Sequence, residues 1–258
     1  MHDPGLKALW RRIGSCLLGL LLSCHALGQT KPVWAGRFET PSATVPAPWQ
    51  MVTFPKLTPT AYRVVMWDGV MAIESRANAS MSLMGRSIDV DLSQTPVLCW
   101  RWRVERLISK ADMRQKSGDD YAARVYVAFS LPTSSMSLAT RAKLKLARTL
   151  YGDLVPDGAI NYVWDQLPVG TWLPNAYTDR TQMKVQRSGA AQLGTWVTER
   201  VSVAQDAQNA FGPLSLHDLR LNLLAVATDT DNTGESAVAG FADLHFVAAN
   251  APCEFSTP

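Results

Sequence analysis

The chain has 258 residues, with 25 Lys and Arg set against 22 Asp and Glu. It is long enough to bury a substantial core, and too balanced in charge to present a nucleic-acid surface. No His-Glu-x-x-His, Cys-x-x-Cys, Gly-x-Ser-x-Gly or phosphate-binding Gly-rich loop occurs, which speaks against zinc, redox, serine-triad and nucleotide chemistry.

Residues 1–28 have the pattern of a secretory signal: Lys7, Arg11 and Arg12 precede an apolar run from Ile13 to Ala26, and Ala26-Leu27-Gly28 offers a small-x-small cleavage site. The run is too short for a membrane span. This predicts a periplasmic or secreted chain with no membrane span after cleavage, its net charge reduced to about +1 once the leader is gone. An alternative is a lipoprotein anchored at Cys24, which closes Leu21-Leu22-Ser23-Cys24. Cys16 and Cys24 fall in the leader, leaving Cys99 and Cys253. In an oxidising compartment these two either pair as a disulfide or stay as buried thiols.

Residues 29–258 contain no linker rich in Gly, Ser or charge and read as one domain. Ala35–Glu39 is a candidate first strand, followed by irregular chain through Pro46 and Pro48. Tyr62–Trp67 and Val70–Ser75 flank Asp68-Gly69, a tight hairpin signal. Ser80–Leu83 and Ser87–Val90 come next, split by Gly85.

Val97–Val104 reads Val-Leu-Cys-Trp-Arg-Trp-Arg-Val. Strand side chains alternate between faces, so Leu98, Trp100, Trp102 and Val104 share one face and Arg101 and Arg103 the other. Tyr121–Phe129 repeats the device: Ala123, Val125, Val127 and Phe129 lie on the core side, Arg124 and Tyr126 opposite. The polar segment 105–120 between these strands is either a functional loop or a solvated connection.

Leu138–Tyr151 is the one helix the pattern predicts, capped by Ser135 or Ser137, with Leu138, Ala142, Leu146 and Leu150 on the packed face and Arg141, Lys143, Lys145 and Arg148 outward. Ile160–Trp164, Gln182–Gln186, Gly194–Val203, Leu219–Ala227 and Ala239–Val247 read as further strands. The expected fold is all-β: an antiparallel two-sheet sandwich of jelly-roll type with one inserted amphipathic helix.

Three constellations carry candidate chemistry. If Ala242, Leu244, Phe246 and Ala248 pack inward, then Asp243 and His245 join Arg101, Arg103, Arg124 and Tyr126 on one polar face bordered by Trp164. Such a face suits an acidic or neutral glycan, with rings stacking on sugars and guanidinium groups gripping carboxylates. It equally suits an Arg-Asp network that only braces the sheet. In Thr228–Gly234, the oxygens of Asp229, Asp231 and Thr233 have the opening spacing of a calcium loop, although position twelve is Gly240 and not Glu. The other reading is an Asx turn around Gly234 without any cofactor. Paired carboxylates for glycoside hydrolysis would come from Asp119, Asp120, Asp229 or Asp243.

The runs Ser80-Met81-Ser82-Leu83, Leu98–Val104, Gly118–Val127, Asn161-Tyr162-Val163-Trp164 and Thr228–Gly234 resemble the bacterial family known as domain of unknown function 3047, over roughly residues 34–248. The resemblance implies an exported protein of unassigned activity and supplies no catalytic residue. Members of that family often carry Asn-Pro-Tyr where this chain has Asn175-Ala176-Tyr177. Three functions follow from the sequence: a non-enzymatic binder of a glycan or other polar envelope component, a polysaccharide hydrolase or lyase, or a structural envelope protein without a ligand.

Overall fold

Thirteen strands, two α-helices and two single-turn 3-10 helices account for the regular structure in a computed structural model, which describes residues 30–151 and 155–256. The proposed leader and the Cys24 anchor lie outside the described residues. The strands are β1 (Val33–Gly36), β2 (Gln50–Thr53), β3 (Ala61–Trp67), β4 (Val70–Asn78), β5 (Ser82–Asp91), β6 (Val97–Val104), β7 (Tyr121–Ser130), β8 (Gly158–Asp165), β9 (Trp172–Asn175), β10 (Thr178–Ser188), β11 (Val197–Ser202), β12 (Arg220–Asp229) and β13 (Ser236–Val247). The helices are α1 (Leu138–Tyr151) and α2 (Val203–Phe211).

One sheet has the order β11-β6-β13-β4-β3, with β1 also on β13; the other runs β2-β5-β12-β7-β8-β10-β9. The two form a sandwich of jelly-roll type. All strand pairs are antiparallel except β8 with β10, which is parallel. The core lies between the sheets: Trp100 and Trp102 from β6 meet Tyr162 and Trp164 from β8, with ring centroids 5.6 and 5.7 Å apart. Four rings of that size remove a large apolar area from water and anchor one sheet on the other.

Two local expectations give way to packing. Gly85 does not split a strand, because β5 runs straight through it; a Cβ there would touch Leu223 and Ala225 of the neighbouring strand at 3.4 and 3.5 Å. The stretch read as a strand to Val203 turns into α2, since the Ser202 hydroxyl accepts a hydrogen bond from Gln205 N and caps a helix there. Ser-x-x-Gln before an apolar run was the signal for it.

Helix α1 has the expected bounds and is capped by Ser137, whose hydroxyl accepts from Thr140 N at 3.1 Å. Arg141, Lys143 and Lys145 are exposed as expected, but the packed face is centred on a different leucine. Leu144 is buried, whereas Leu138 and Leu146 are 77% and 61% exposed. Arg148, expected outward, is part-buried and donates to Asp157 Oδ1 and the Val155 carbonyl at 2.8 and 3.0 Å, which ties the end of the helix to the chain beyond it.

Candidate functional site

The sequence placed Arg101, Arg103, Arg124, Tyr126, Asp243, His245 and Trp164 on or beside one face. The structure separates them. Arg101 and Arg103 lie on the outer face of the β6 sheet, Arg124 and Tyr126 on the outer face of the β7 sheet, and the Trp164 ring is in the core between them. Period-2 alternation assigns a face within a strand and says nothing about which sheet the strand joins.

The arginines on the β6 sheet are already paired. Arg101 bonds Asp243 and donates to the Ser256 carbonyl at 2.9 Å. Arg103 bonds Asp68 and Glu105 and lies over the Trp67 ring, 4.6 Å from its centroid. The carboxyl-terminal tail closes over Arg101: Cys253 is disulfide-bonded to Cys99, with their Cα atoms 5.8 Å apart, and Phe255 packs against the guanidinium. Ser256 donates to Asp243 through both its N–H and its hydroxyl.

His245 Nδ1 is 2.6 Å from the Asp243 carbonyl and therefore carries the proton, which leaves Nε2 to accept from Glu254 N at 2.9 Å. Burial lowers the pKa of this imidazole against the opposing pull of the Asp243 carbonyl and the charges of Asp243 and Glu254. The alternation of β13 breaks at Asp243, whose φ is +52° and where the register with β6 shifts. Phe241 therefore packs into the core, against expectation, and Ala242 faces outward.

The second cluster forms where the β12–β13 loop folds over the start of β7. Gly234, at φ +69°, permits the reversal. Asp120 Oδ1 accepts from Asn232 N and Nδ2 at 3.1 and 3.2 Å, and its Oδ2 accepts from Thr233 N and Oγ1 at 2.7 and 2.6 Å. Asp119 accepts from the Tyr121 hydroxyl at 2.7 Å and from Asn175 Nδ2 at 3.1 Å. Arg124 faces Asp229 with Nη2 to Oδ2 at 3.4 Å. Asp119, Asp120, Asp229 and Arg124 are all buried, and Asp231 is half-buried.

One carboxylate oxygen from each of Asp120, Asp229 and Asp231 lies within 4.8 Å of the others. Among the described residues, Asp229 Oδ1 and Asp231 Oδ1 are buried without a hydrogen-bond partner. Burial pushes the Asp229 carboxyl well above its ordinary pKa, with Arg124 opposing and the neighbouring aspartates reinforcing; burial and Asp120 push Asp231 up as well.

Of the proposed hydrolytic carboxylates, Asp119, Asp120 and Asp229 thus converge, and Asp243 is on the other sheet. Thr233, proposed as a metal ligand, spends its hydroxyl on Asp120. The three groups Cys99, His245 and Cys253 also lie close together, but their sulfurs are joined to each other.

Sequence reasoning did not name Tyr177, Asn175, Asn232 or Lys116 as site residues. Tyr177 is 56% exposed beside the acidic cluster. Its N–H donates to Asn175 Oδ1 and its hydroxyl to Asn232 Oδ1, both at 3.0 Å, and Lys116 Nζ is 5.0 Å from its ring centroid. Partial burial and the charges of Asp119, Asp231 and Asp120 raise the pKa of its phenol. The departure at Asn175-Ala176-Tyr177, the polar segment 105–120 and the run Thr228–Gly234 were the sequence signals pointing there.

No curated protein matches the chain. Among solved structures it is similar to the xyloglucanase domain of NopAA, a type three effector from Sinorhizobium fredii solved in complex with cellobiose, at 8% identity and TM-score 0.37 over 80% of this chain and 100% of that one. It is also similar to endoglucanase cel12A from Rhodothermus marinus, at 11% identity and TM-score 0.41 over 84% and 98% of the two chains. A metagenome-derived glycoside hydrolase family 12 endoglucanase gives 12% identity and TM-score 0.40 over 81% and 100%. Residues 47–245 match throughout the family described as protein of unknown function (DUF3047), and the chain belongs to that family.

Proposed function

We propose that this protein is an exported, non-catalytic sandwich that binds a cell-envelope carbohydrate at the end of the β7 sheet, with the Tyr177 ring as its platform. The observation that carries this reading is the ring itself. It is exposed, yet fixed at its backbone end by Asn175 and at its hydroxyl by Asn232. A ring immobilised in advance loses little conformational entropy when a sugar stacks on it. The amides of Asn175 and Asn232, the Lys116 ammonium and the half-buried Asp231 supply polar groups at its edge.

The hydrolytic alternative requires an acid and a second carboxylate presented across a scissile bond. Asp119 and Asp120 are buried and already accept hydrogen bonds, and Asp229 is buried against Arg124. That arrangement favours binding over turnover. Export is proposed on the leader pattern of residues 1–28, and the Cys99–Cys253 bridge suits an oxidising compartment.

Calorimetric titration with a panel of envelope oligosaccharides and polysaccharides tests the reading. At least one glycan should bind, and Tyr177→Ala should weaken it by roughly tenfold while leaving the melting temperature unchanged. Undiminished binding by Tyr177→Ala, or no binding across the panel, would overturn it.

A further inference from the structure

We propose that Asp229 and Asp231, with Asp120 beside them, form a calcium site that fastens the β12–β13 loop to the start of β7. Three features of the fold carry it. Asp229 ends β12 and Asp231 opens the turn that follows it, and the turn through Gly234 folds this segment against Asp120 at the start of β7. The three groups come within 4.8 Å of one another.

The second feature is independent of that proximity. Asp229 is 2% exposed and its Oδ1 has no donor among the described residues, although Arg124 stands next to Oδ2. Asp231 Oδ1 is buried and free in the same way. A buried carboxylate oxygen without a hydrogen bond is costly, and native proteins seldom keep two side by side without a ligand.

The third is charge. Asp119, Asp120, Asp229 and Asp231 share one guanidinium, that of Arg124, so acidic groups outnumber the cation at a largely buried position. A divalent cation would let all of these carboxylates ionise together. All the donors are hard oxygens, which excludes soft metals.

Calcium is favoured over magnesium because Asp120 is held in place by other bonds and is not free to complete a strict octahedron. Asp120 keeps its oxygens on Thr233 and on Asn232, the longest of these bonds being 3.2 Å to the Asn232 amide. Calcium tolerates such uneven coordination, completed by water, whereas magnesium demands a near-ideal octahedron. The ion would also set the position of Asn232, and through it the Tyr177 hydroxyl. The site itself stands on the aspartates alone and does not depend on glycan binding.

The test uses the whole protein stripped with a chelator and then given calcium chloride alone, with no glycan present. Calcium near 10 mM should raise the melting temperature by about 5 °C, the shift expected for sub-millimolar affinity in a domain of this size. Terbium luminescence excited through the protein's aromatic rings should appear and be displaced by calcium. Asp231→Asn is the variant to use, because Asp229→Asn strips Arg124 of its partner and endangers folding. Asp231→Asn should fold and bind calcium at least about tenfold more weakly. The proposal is overturned by a flat melting temperature with no displaceable terbium signal, by parental calcium affinity in Asp231→Asn, or by magnesium acting as well as calcium.

Discussion

Replacing both Cys99 and Cys253 with alanine removes the disulfide cross-link that ties the tail back to β6. The two half-cystines are 154 residues apart in sequence. Closing a loop of that length costs the unfolded chain about 5 kcal/mol at 25 °C in the chain-entropy description. The native tail is held besides by Glu254 N on His245, by Ser256 on Asp243 and Arg101, and by Phe255 beside the Arg101 guanidinium. These contacts should keep the tail docked in the native variant, so the loss should fall almost wholly on the unfolded state. For a domain whose whole stability is about 5–15 kcal/mol, that is a third or more of the total. Urea unfolding followed by tryptophan fluorescence should show the midpoint fall by about 2 M if m is near 2–3 kcal/mol/M. The amides of Glu254 and Ser256 should exchange somewhat faster and remain protected. A loss below about 1 kcal/mol would refute the loop-entropy reasoning, and complete deprotection of the tail would refute its non-covalent docking.

Acid should loosen the same tail. His245 ionises below its ordinary pKa in the folded protein, so between that lowered value and 6.5 the unfolded chain binds more protons and stability falls as the pH drops. Protonation also removes the acceptor for Glu254 N. The melting temperature should therefore decline from pH 7 to pH 5 in the parent and decline less in His245→Gln; equal slopes would exclude the imidazole as the cause. On the other side of the core, Asp206 accepts from the Tyr162 hydroxyl at 3.0 Å and from Lys184 Nζ at 2.9 Å. Asp206→Ala leaves a core hydroxyl and an ammonium without their acceptor and should cost about 3 kcal/mol, of which Lys184→Met in the same chain should recover part. Additive losses measured by denaturant unfolding would show that the pair is not coupled.

Where one residue decides the next, the sequence was legible. The Trp-Arg-Trp-Arg alternation of β6 placed Trp100 and Trp102 in the core because the strand period is a local property. The hairpin at Asp68-Gly69 and the bounds of α1 followed for the same reason. The Asp-x-Asp spacing drew attention to Asp229 and Asp231, and Asp119 and Asp120 were marked before the loop was seen to cover them.

Apart from the Ser202 cap of α2, which is a local signal, the failures were non-local. The pairing of Arg148 of α1 reaches Asp157, which lies beyond the helix and outside its period. The swap of Phe241 with Ala242 depends on a bulge at Asp243, stabilised by a bond to Arg101 and by the tail. By itself the sequence determined which residues alternate, where the turns fall and that the chain forms a β-sandwich, because steric and hydrophobic periodicity act over neighbouring residues. Only the tertiary structure decided that Arg101 and Arg124 stand on different sheets, that their charges are already met by Asp243 and Asp229, and that Asp120 meets Asp231. Strand order and loop closure join residues more than a hundred positions apart, and no local spacing encodes them.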